Sequence, residues 1–182
     1  MTLIAHKADD GREQPLDKHL QNVSYLAAEY AAPIGGQAIA RHAGLAHDIG
    51  KCTDGFQRYI RDPEHNIKCP HSIIGAAACA KAGDLVSALV AEGHHTGLHD
   101  MWDMKNNIDA ALIKRADDVR KAELLYPVQN CALNDIPLHA RTLKNMGLYS
   151  FVRMEYSCLV DADYIDTETF MRGTEQRLYT YD

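Results

Sequence analysis

The sequence predicts an all-α fold, a single compact helical bundle. Apolar residues recur at three- and four-residue spacing along almost the whole chain, which is the period of an amphipathic helix. Proline and glycine fall between these periodic segments, where helices begin and end. No two segments of alternating apolar and polar residues flank a hairpin turn, so we expect no β-sheet.

Three helices are predicted in the first third of the chain. The first begins at Pro15-Leu16, because proline suits the first turn of a helix, and it ends before Pro33. The second follows from Ile39 and stops at Gly50, since glycine commonly ends a helix. The third is short and covers residues 54–61.

Four more helices follow, separated by proline, glycine or polar segments: 71–82, 85–92, 108–125 and 147–165. Pro70 precedes the first of them, which is rich in alanine. The polar stretch 94–107 contains Gly97 and is predicted to be a loop. The pattern therefore indicates about seven helices or more.

Length and composition indicate one globular domain over residues 1–182. The chain has 182 residues, of which 46% are apolar, enough for one core and too few for two comfortable domains. It contains no apolar run of transmembrane length and no signal peptide, so we expect a cytoplasmic protein without a membrane partner.

The cysteines are odd in number, widely scattered and never in a C-x-x-C pair: Cys52, Cys69, Cys79, Cys131 and Cys158. This distribution argues against a disulfide framework and against a zinc-cysteine site. We expect them to be small apolar residues in or near the core.

The formal net charge of −6 limits how the protein could bind nucleic acid. Proteins that bind mainly by neutralising phosphates are usually basic. Any contact with nucleic acid would therefore be local, supplied by bound cations, or provided by a partner.

Histidine and aspartate residues stand at five places near predicted helix ends or on inward-facing positions: His19, His47-Asp48, His71, His94-His95, and the cluster Asp161, Asp163, Asp166. Any one of these histidines alone would more often be a surface or capping residue. Together they match the bundle-core sites that converging helices build. Imidazole and carboxylate ligands suit Mn, Fe, Co, Ni or Zn, whereas magnesium prefers more oxygen.

These residues resemble the signature of the HD superfamily, H…HD…D, with His19, His47-Asp48 and a C-terminal aspartate. The chain is most similar to the HD nuclease domain of the CRISPR-associated Cas3 proteins. Six segments carry that resemblance: Ala5-His6, His47-Asp48-Ile49-Gly50-Lys51, Phe56-Gln57, Pro70-His71-Ser72, Gly93-His94-His95-Thr96-Gly97-Leu98 and Leu159-Val160-Asp161-Ala162-Asp163-Tyr164.

The resemblance implies a two-metal site in the core of the bundle, with one or two divalent ions (Mn, Fe, Co, Ni, Mg or Zn). One ion would be bound by His19, His47, Asp48 and the C-terminal aspartate. The second would be bound by His71, His94 and His95, with Asp48 bridging the two. Lys51 cannot bind a metal, because it only donates hydrogen bonds, and it would lie beside the scissile phosphate in a catalytic role with Asp48.

Two aspartates compete for the C-terminal position. Asp161 and Asp163 lie about 200° apart on a helix, so both cannot face one centre. Asp163 falls four residues after Leu159, in line with the apolar face, and is the expected ligand; Asp161 is the alternative.

The function that the resemblance implies is cleavage of single-stranded DNA in CRISPR interference, an antiviral defence. The implied partners are a Cas3-type helicase, in trans or in the same full-length chain, and a crRNA-guided surveillance (Cascade) complex. The sequence itself has no G-x-x-x-x-G-K-[ST] phosphate loop and no room for helicase lobes.

Two other functions stay open. The first is hydrolysis of small or cyclic nucleotides by the same centre. The second is a catalytically silent module that docks a helicase.

Two residues also keep alternative interpretations. His6 could support the site or serve structure alone, and Trp102 could be buried or could stack on a base.

Overall fold

The structure is a computed structural model that describes residues 2–129, 135–142 and 144–173. These ranges contain nine α-helices: α1 (Leu16–Ala31), α2 (Gln37–Ala46), α3 (Asp54–Arg61), α4 (Ser72–Ala82), α5 (Leu85–Gly93), α6 (Met101–Lys114), α7 (Ala116–Leu125), α8 (Leu138–Thr142) and α9 (Lys144–Arg172). Short 3-10 helices cover Ala32–Ile34 and Ile49–Cys52. The predicted all-α class is confirmed.

A two-stranded antiparallel sheet at the N-terminus was not expected. Strand β1 (Ile4–Lys7) pairs with β2 (Glu13–Pro15), so that His6 lies opposite Gln14. Strands of four and three residues are too short to show an alternating pattern in the sequence. The expectation that the chain has no sheet was therefore wrong at this one place.

The segment 94–107 is a loop only as far as Asp100. Helix α6 begins at Met101, because the Asp100 carboxylate accepts hydrogen bonds from the backbone N–H groups of Trp102 and Asp103, at 2.9 and 2.8 Å. An aspartate at this position caps the helix. The polar character of the segment concealed the first seven residues of α6, about two turns, from the sequence pattern.

Three other predicted boundaries also differ. The expected helix 108–125 is divided at Arg115 into α6 and α7. Helix α9 is longer at both ends than the predicted 147–165, and α8 was not predicted. The polar and charged residues that flank these apolar runs gave no periodic signal.

Helices α1, α2 and α9 pack together on one side of the bundle, and α4 packs against α5, α6 and α7 on the other. Much of the shared core is alanine, as at Ala27, Ala43, Ala77 and Ala91, which are all fully or almost fully buried. Small side chains allow the helix axes to approach closely. The histidines and aspartates singled out above lie between these two groups of helices.

Two glycines permit the close contacts that bring the halves together. A Cβ at Gly75 of α4 would lie 2.1 Å from the carbonyl oxygen of Ala46, at the end of α2. A Cβ at Gly50 would lie 2.2 Å from the carbonyl oxygen of His71. Both distances are far inside van der Waals contact, so only glycine fits where the His47-Asp48 turn meets α4.

No disulfide joins the four cysteines in the described ranges, and Cys131 lies outside those ranges. Over the same ranges, no helix is both long enough and apolar enough to cross a bilayer.

Candidate metal centre

The predicted site residues come from five different parts of the fold. His19 projects from α1, and His47-Asp48 forms the turn between α2 and the 3-10 helix Ile49–Cys52. The pair was expected inside the last turn of the second helix, but α2 ends at Ala46, one residue before His47. Asp48 has φ −116° and ψ 13°, which turns its carboxylate away from the direction that a continued helix would give it.

His71, His94 and Asp163 complete the cluster from three other helices. His71 immediately precedes α4 and His94 immediately follows α5, whereas Asp163 lies within α9. His95 follows His94 and is exposed to solvent. Since consecutive residues of a helix point about 100° apart, two adjacent histidines can share a centre only where the helix has ended.

The first group of possible ligands surrounds one oxygen of Asp48. The Nε2 atom of His19 lies 3.2 Å from Oδ2 of Asp48 and 3.4 Å from Oδ1 of Asp163. The Nε2 atom of His47 lies 3.5 and 3.6 Å from the same two oxygens. All four ligand atoms fall within 4.8 Å of one another, a spacing that could hold one cation.

The second group surrounds the other oxygen of Asp48. Its Oδ1 atom lies 3.1 Å from Nε2 of His71 and 3.4 Å from Nε2 of His94. The Nε2 atoms of His71 and His95 are 2.9 Å apart, and this group of four also falls within 4.8 Å. Asp48 is therefore the residue that the two groups share.

The protonation of the buried histidines fits a cation in each group. The Nδ1–H of His47 donates to the carbonyl of Gly44 at 2.9 Å, and the Nδ1–H of His94 donates to that of Ala91 at 2.7 Å. Each Nε2 atom then carries a lone pair that faces the centre. Both Nε2 atoms, and Oδ1 of Asp48, have no hydrogen-bond partner among the described residues. Buried polar atoms are rarely left in this way, and a metal ion would satisfy all three.

His19 is held by a carboxylate that the sequence did not assign to the site. Its Nδ1 atom lies 2.7 Å from Oδ2 of Asp166, and Asn22 donates to the other oxygen of that carboxylate at 2.6 Å. A carboxylate behind a ligating imidazole orients the ring and makes it a stronger ligand. The available signal was spacing, because Asp166 falls three residues after Asp163 and so lies on the same side of α9.

Lys51 is buried between Asp48 and His6 and contacts both. Its ammonium contacts Oδ2 of Asp48 at 2.6 Å and Nε2 of His6 at 3.0 Å, and the residue is only 4% exposed. Burial and the lysine together lower the pKa of His6 to about 4, so this imidazole is neutral and accepts from Lys51. The predicted contact of Lys51 with a scissile phosphate stays a prediction.

The electrostatic field keeps both aspartates ionised. Burial alone would raise the pKa of Asp48, but Lys51 and the surrounding histidines outweigh burial and hold it well below its usual range. Burial also opposes ionisation of Asp163, whose pKa is nevertheless lowered by His47. Two ionised carboxylates together with imidazole nitrogens form the donor set of a first-row divalent ion.

The buried histidines respond differently to this field. Burial dominates at His47 and lowers its pKa. At His19 burial also favours the neutral form, but hydrogen bonds to Asp166 and Asp48 outweigh it, so its pKa is raised. A cation that binds to His19 would therefore displace a proton, which makes its affinity dependent on pH.

The cluster opens to solvent at His95 and His71, whereas His19, His47 and Asp48 are fully buried. Asp161 is exposed and lies outside both groups. Trp102 is 71% exposed, so its burial, one of the two alternatives, is wrong; stacking on a base stays a prediction.

A helical bundle with this histidine and aspartate cluster at its centre defines the class of metal-dependent phosphohydrolase domains. Residues 16–122, more than half of the chain, match the HD domain family. The chain belongs to this family.

Several curated proteins with the name Ribonuclease Y are similar to this chain. The relative from Desulforudis audaxviator is 33% identical over 106 residues, which are 58% of this chain and 18% of that protein. The relative from Clostridium tetani shows the same values, and the one from Clostridium kluyveri is 34% identical over 106 residues. The match thus spans about 18% of the length of these relatives. No match favours the Cas3 proteins in particular.

Proposed function

We propose that this protein is a metal-dependent nuclease that hydrolyses phosphodiester bonds in single-stranded DNA. The observation that carries the proposal is the position of Asp48, whose two oxygens face two separate sets of histidines. A carboxylate shared in this way is the arrangement by which two-metal phosphodiesterases hold their ions.

Some residues of the chain would bind the metal ions, and others lie where the substrate would approach. Divalent ions, when bound, supply a water nucleophile of lowered pKa and positive charge for the phosphoryl oxygens. The carboxylates of Asp48 and Asp163 stay ionised and bind the ions, while Lys51 holds Asp48 in place through their ion pair. His71 and His95 lie at the open side, so the phosphate would approach there.

DNA is favoured over RNA by the series of motifs that resembles the Cas3 nucleases, above all His94-His95-Thr96-Gly97-Leu98. The helicase, the surveillance complex and the role in CRISPR interference belong to the same proposal. The name of the curated relatives favours RNA instead, so RNA is the second candidate substrate. The region that matches the family, residues 16–122, includes the six histidine and aspartate ligands from His19 to His95 but not Asp163. Both substrates would use the same centre.

Hydrolysis of a small or cyclic nucleotide remains an alternative, because the same centre could perform it. Such an enzyme needs base-specific contacts in a closed pocket. Here His71 is half-buried and His95 is exposed, so this side of the centre is open to solvent and not enclosed.

The test is a matrix of metals and substrates. Metal-depleted protein is reconstituted with Mn, Co, Ni, Zn or Mg and given a single-stranded DNA, an RNA of the same sequence and a panel of nucleotides. We expect cleavage of DNA with at least one transition metal, and none by Asp48→Asn, in which one carboxylate oxygen becomes an amide. Equal cleavage by the variant would refute the proposed centre. Cleavage of RNA alone, or of nucleotides alone, would replace the proposed substrate and leave the centre intact.

A further inference from the structure

The N-terminal hairpin contacts the metal centre through two side chains, one half-buried and one buried. His6 on β1 and Gln14 on β2 lie opposite each other in the sheet, and Nδ1 of His6 is 2.7 Å from Oε1 of Gln14. Gln14 is only 5% exposed. Its amide nitrogen lies on the other side, 2.7 Å from Oδ2 of Asp166. Gln14 thus stands between His6 and the carboxylate that orients His19.

The first arm of this network runs from Gln14 to Lys51. An ammonium can only donate, so Lys51 donates to Nε2 of His6, at 3.0 Å. The remaining ring nitrogen of His6 must then carry the hydrogen, which it donates to the carbonyl oxygen of Gln14. The amide group of Gln14 therefore turns its nitrogen towards Asp166.

The second arm runs from Gln14 to His19. An ionised carboxylate can only accept, so Asp166 accepts from the amide of Gln14 and from Nδ1–H of His19, both at 2.7 Å. With a hydrogen fixed at Nδ1, Nε2 of His19 is the ring nitrogen that a cation beside Asp48 would use, and it lies 3.2 Å from Oδ2 of Asp48. With these tautomers, each of the four hydrogen bonds in the two arms joins one donor to one acceptor.

Both arms end on the same atom. Lys51 contacts Oδ2 of Asp48 at 2.6 Å and His19 faces it at 3.2 Å, so the network closes into a ring. We infer that Gln14 is a positioning residue of the metal centre, whose side-chain amide links the two arms and thereby sets the tautomer of His19 and the place of Lys51. The inference depends on the centre binding a cation, as proposed above, but not on the substrate that is cleaved.

Glutamine is the side chain that this position requires. A single residue must accept from His6 and donate to Asp166, and only an amide side chain offers both at this length. Glutamate would place a second negative charge beside Asp166, and methionine would fill the volume without either hydrogen bond. The hairpin, which also buries Ile4 and Ala5 against the bundle, therefore supports the metal centre through Gln14.

The experiment measures zinc binding to metal-depleted wild type, Gln14→Met and Glu13→Gln by calorimetry, without any substrate. Glu13 is the exposed neighbour on the same strand and serves as the control. We expect Gln14→Met to bind zinc about 10- to 100-fold more weakly, the usual effect of losing a residue that supports a ligand. Glu13→Gln should bind like the wild type.

A second readout separates positioning from general loss of structure. In zinc-loaded wild type, nitrogen NMR spectra should show His6 and His19 protonated at Nδ1, and in Gln14→Met His6 should exchange between tautomers. Unchanged zinc affinity in Gln14→Met, or a wild-type His6 protonated at Nε2, would overturn the inference; the latter result needs no variant that must fold. Wild type that bound no zinc would overturn the proposed function as well.

Discussion

At the scale of single residues, the environment of Asp48 explains how one carboxylate can serve two metal ions. Lys51 and His19 face Oδ2, whereas His71 and His94 face Oδ1. The residue is fully buried, so no water replaces these partners. Its motif was visible in the sequence because the histidine, aspartate and lysine are close neighbours along the chain.

Other residues of the centre were not visible in this way. Gln14 and Asp166 contact each other although they are about 150 residues apart in the sequence. Glutamine and aspartate are also common on protein surfaces, so neither residue type indicates a site. Only the fold shows that the amide of Gln14 is buried beside His6 and that Asp166 stands behind His19. The ligands could be predicted from chemistry and order, whereas the residues that support them depend on tertiary contacts.

Glu155 of α9 is a further buried carboxylate, and it lies outside the metal centre. It is fully buried, and neither of its oxygens has a hydrogen-bond partner among the described residues. Burial, with a smaller effect of Asp84, raises its pKa to about 8. The folded protein therefore holds this proton more tightly than the unfolded chain does.

The raised pKa predicts that Glu155 makes the protein less stable as pH rises. The loss begins above the unfolded pKa of 4.5 and is complete once the pH passes about 8. Between those limits the free energy of unfolding should fall by at most about 1.4 kcal/mol for each pH unit. In Glu155→Gln this part of the pH dependence should disappear, so its stability relative to wild type should rise between pH 5 and pH 8, as measured by urea unfolding.

The control is Glu29→Gln, which removes the same charge from an exposed position on α1. A parallel pH dependence in wild type and Glu155→Gln would contradict the assignment.

At the scale of helices and strands, the long apolar periods were predicted well and the short or polar elements were not. Helix α1 and helix α3 lie within one or two residues of their predicted bounds. The hairpin was missed because strands of three or four residues are too short to show a period. The start of α6 was missed because its capping residue, Asp100, is of a type that is also common in loops. The missed hairpin matters most, since it carries His6 and Gln14.

The contact between α2 and α4 gives a prediction at this scale. Within a helix, glycine to alanine ordinarily stabilises by about 1 kcal/mol. Gly75→Ala should instead destabilise the protein, by roughly 1–3 kcal/mol as for other overpacked cores, because its Cβ would lie 2.1 Å from the carbonyl of Ala46.

The same displacement should weaken metal binding, since His47 follows Ala46 directly. Thermal unfolding and metal titration measure the two effects. The sign of the change in stability decides the outcome. If Gly75→Ala were more stable than the wild type, α2 and α4 would not approach as closely as described.

At the scale of the whole molecule, the fold class and the family could be read from the sequence, because helical periodicity and the spaced histidines extend over most of the chain. The substrate could not be read, since a set of metal ligands does not depend on which phosphodiester is cleaved. The net charge of −6 restricts the choice of binding mode instead.

The net charge of −6 predicts that binding of single-stranded DNA requires the bound cations. An acidic protein without them should repel a polyphosphate. Fluorescence anisotropy with a labelled single-stranded DNA should therefore show negligible binding to metal-depleted protein and clear binding after reconstitution with a metal that does not support cleavage. Equally tight binding to the metal-depleted protein would mean that a basic surface, and not the centre, holds the strand.

In the proposed centre one carboxylate, that of Asp48, joins two cation sites at the core of the bundle. The most direct measurement is anomalous diffraction from crystals of the wild type and of Asp48→Asn saturated with manganese. The wild type should show two peaks, one bounded by His19, His47 and Asp163 and the other by His71, His94 and His95, with Asp48 touching both, and the variant should show neither. Fewer than two peaks in contact with Asp48 in the wild type, or two undiminished peaks in the variant, would show that Asp48 does not join two cation sites.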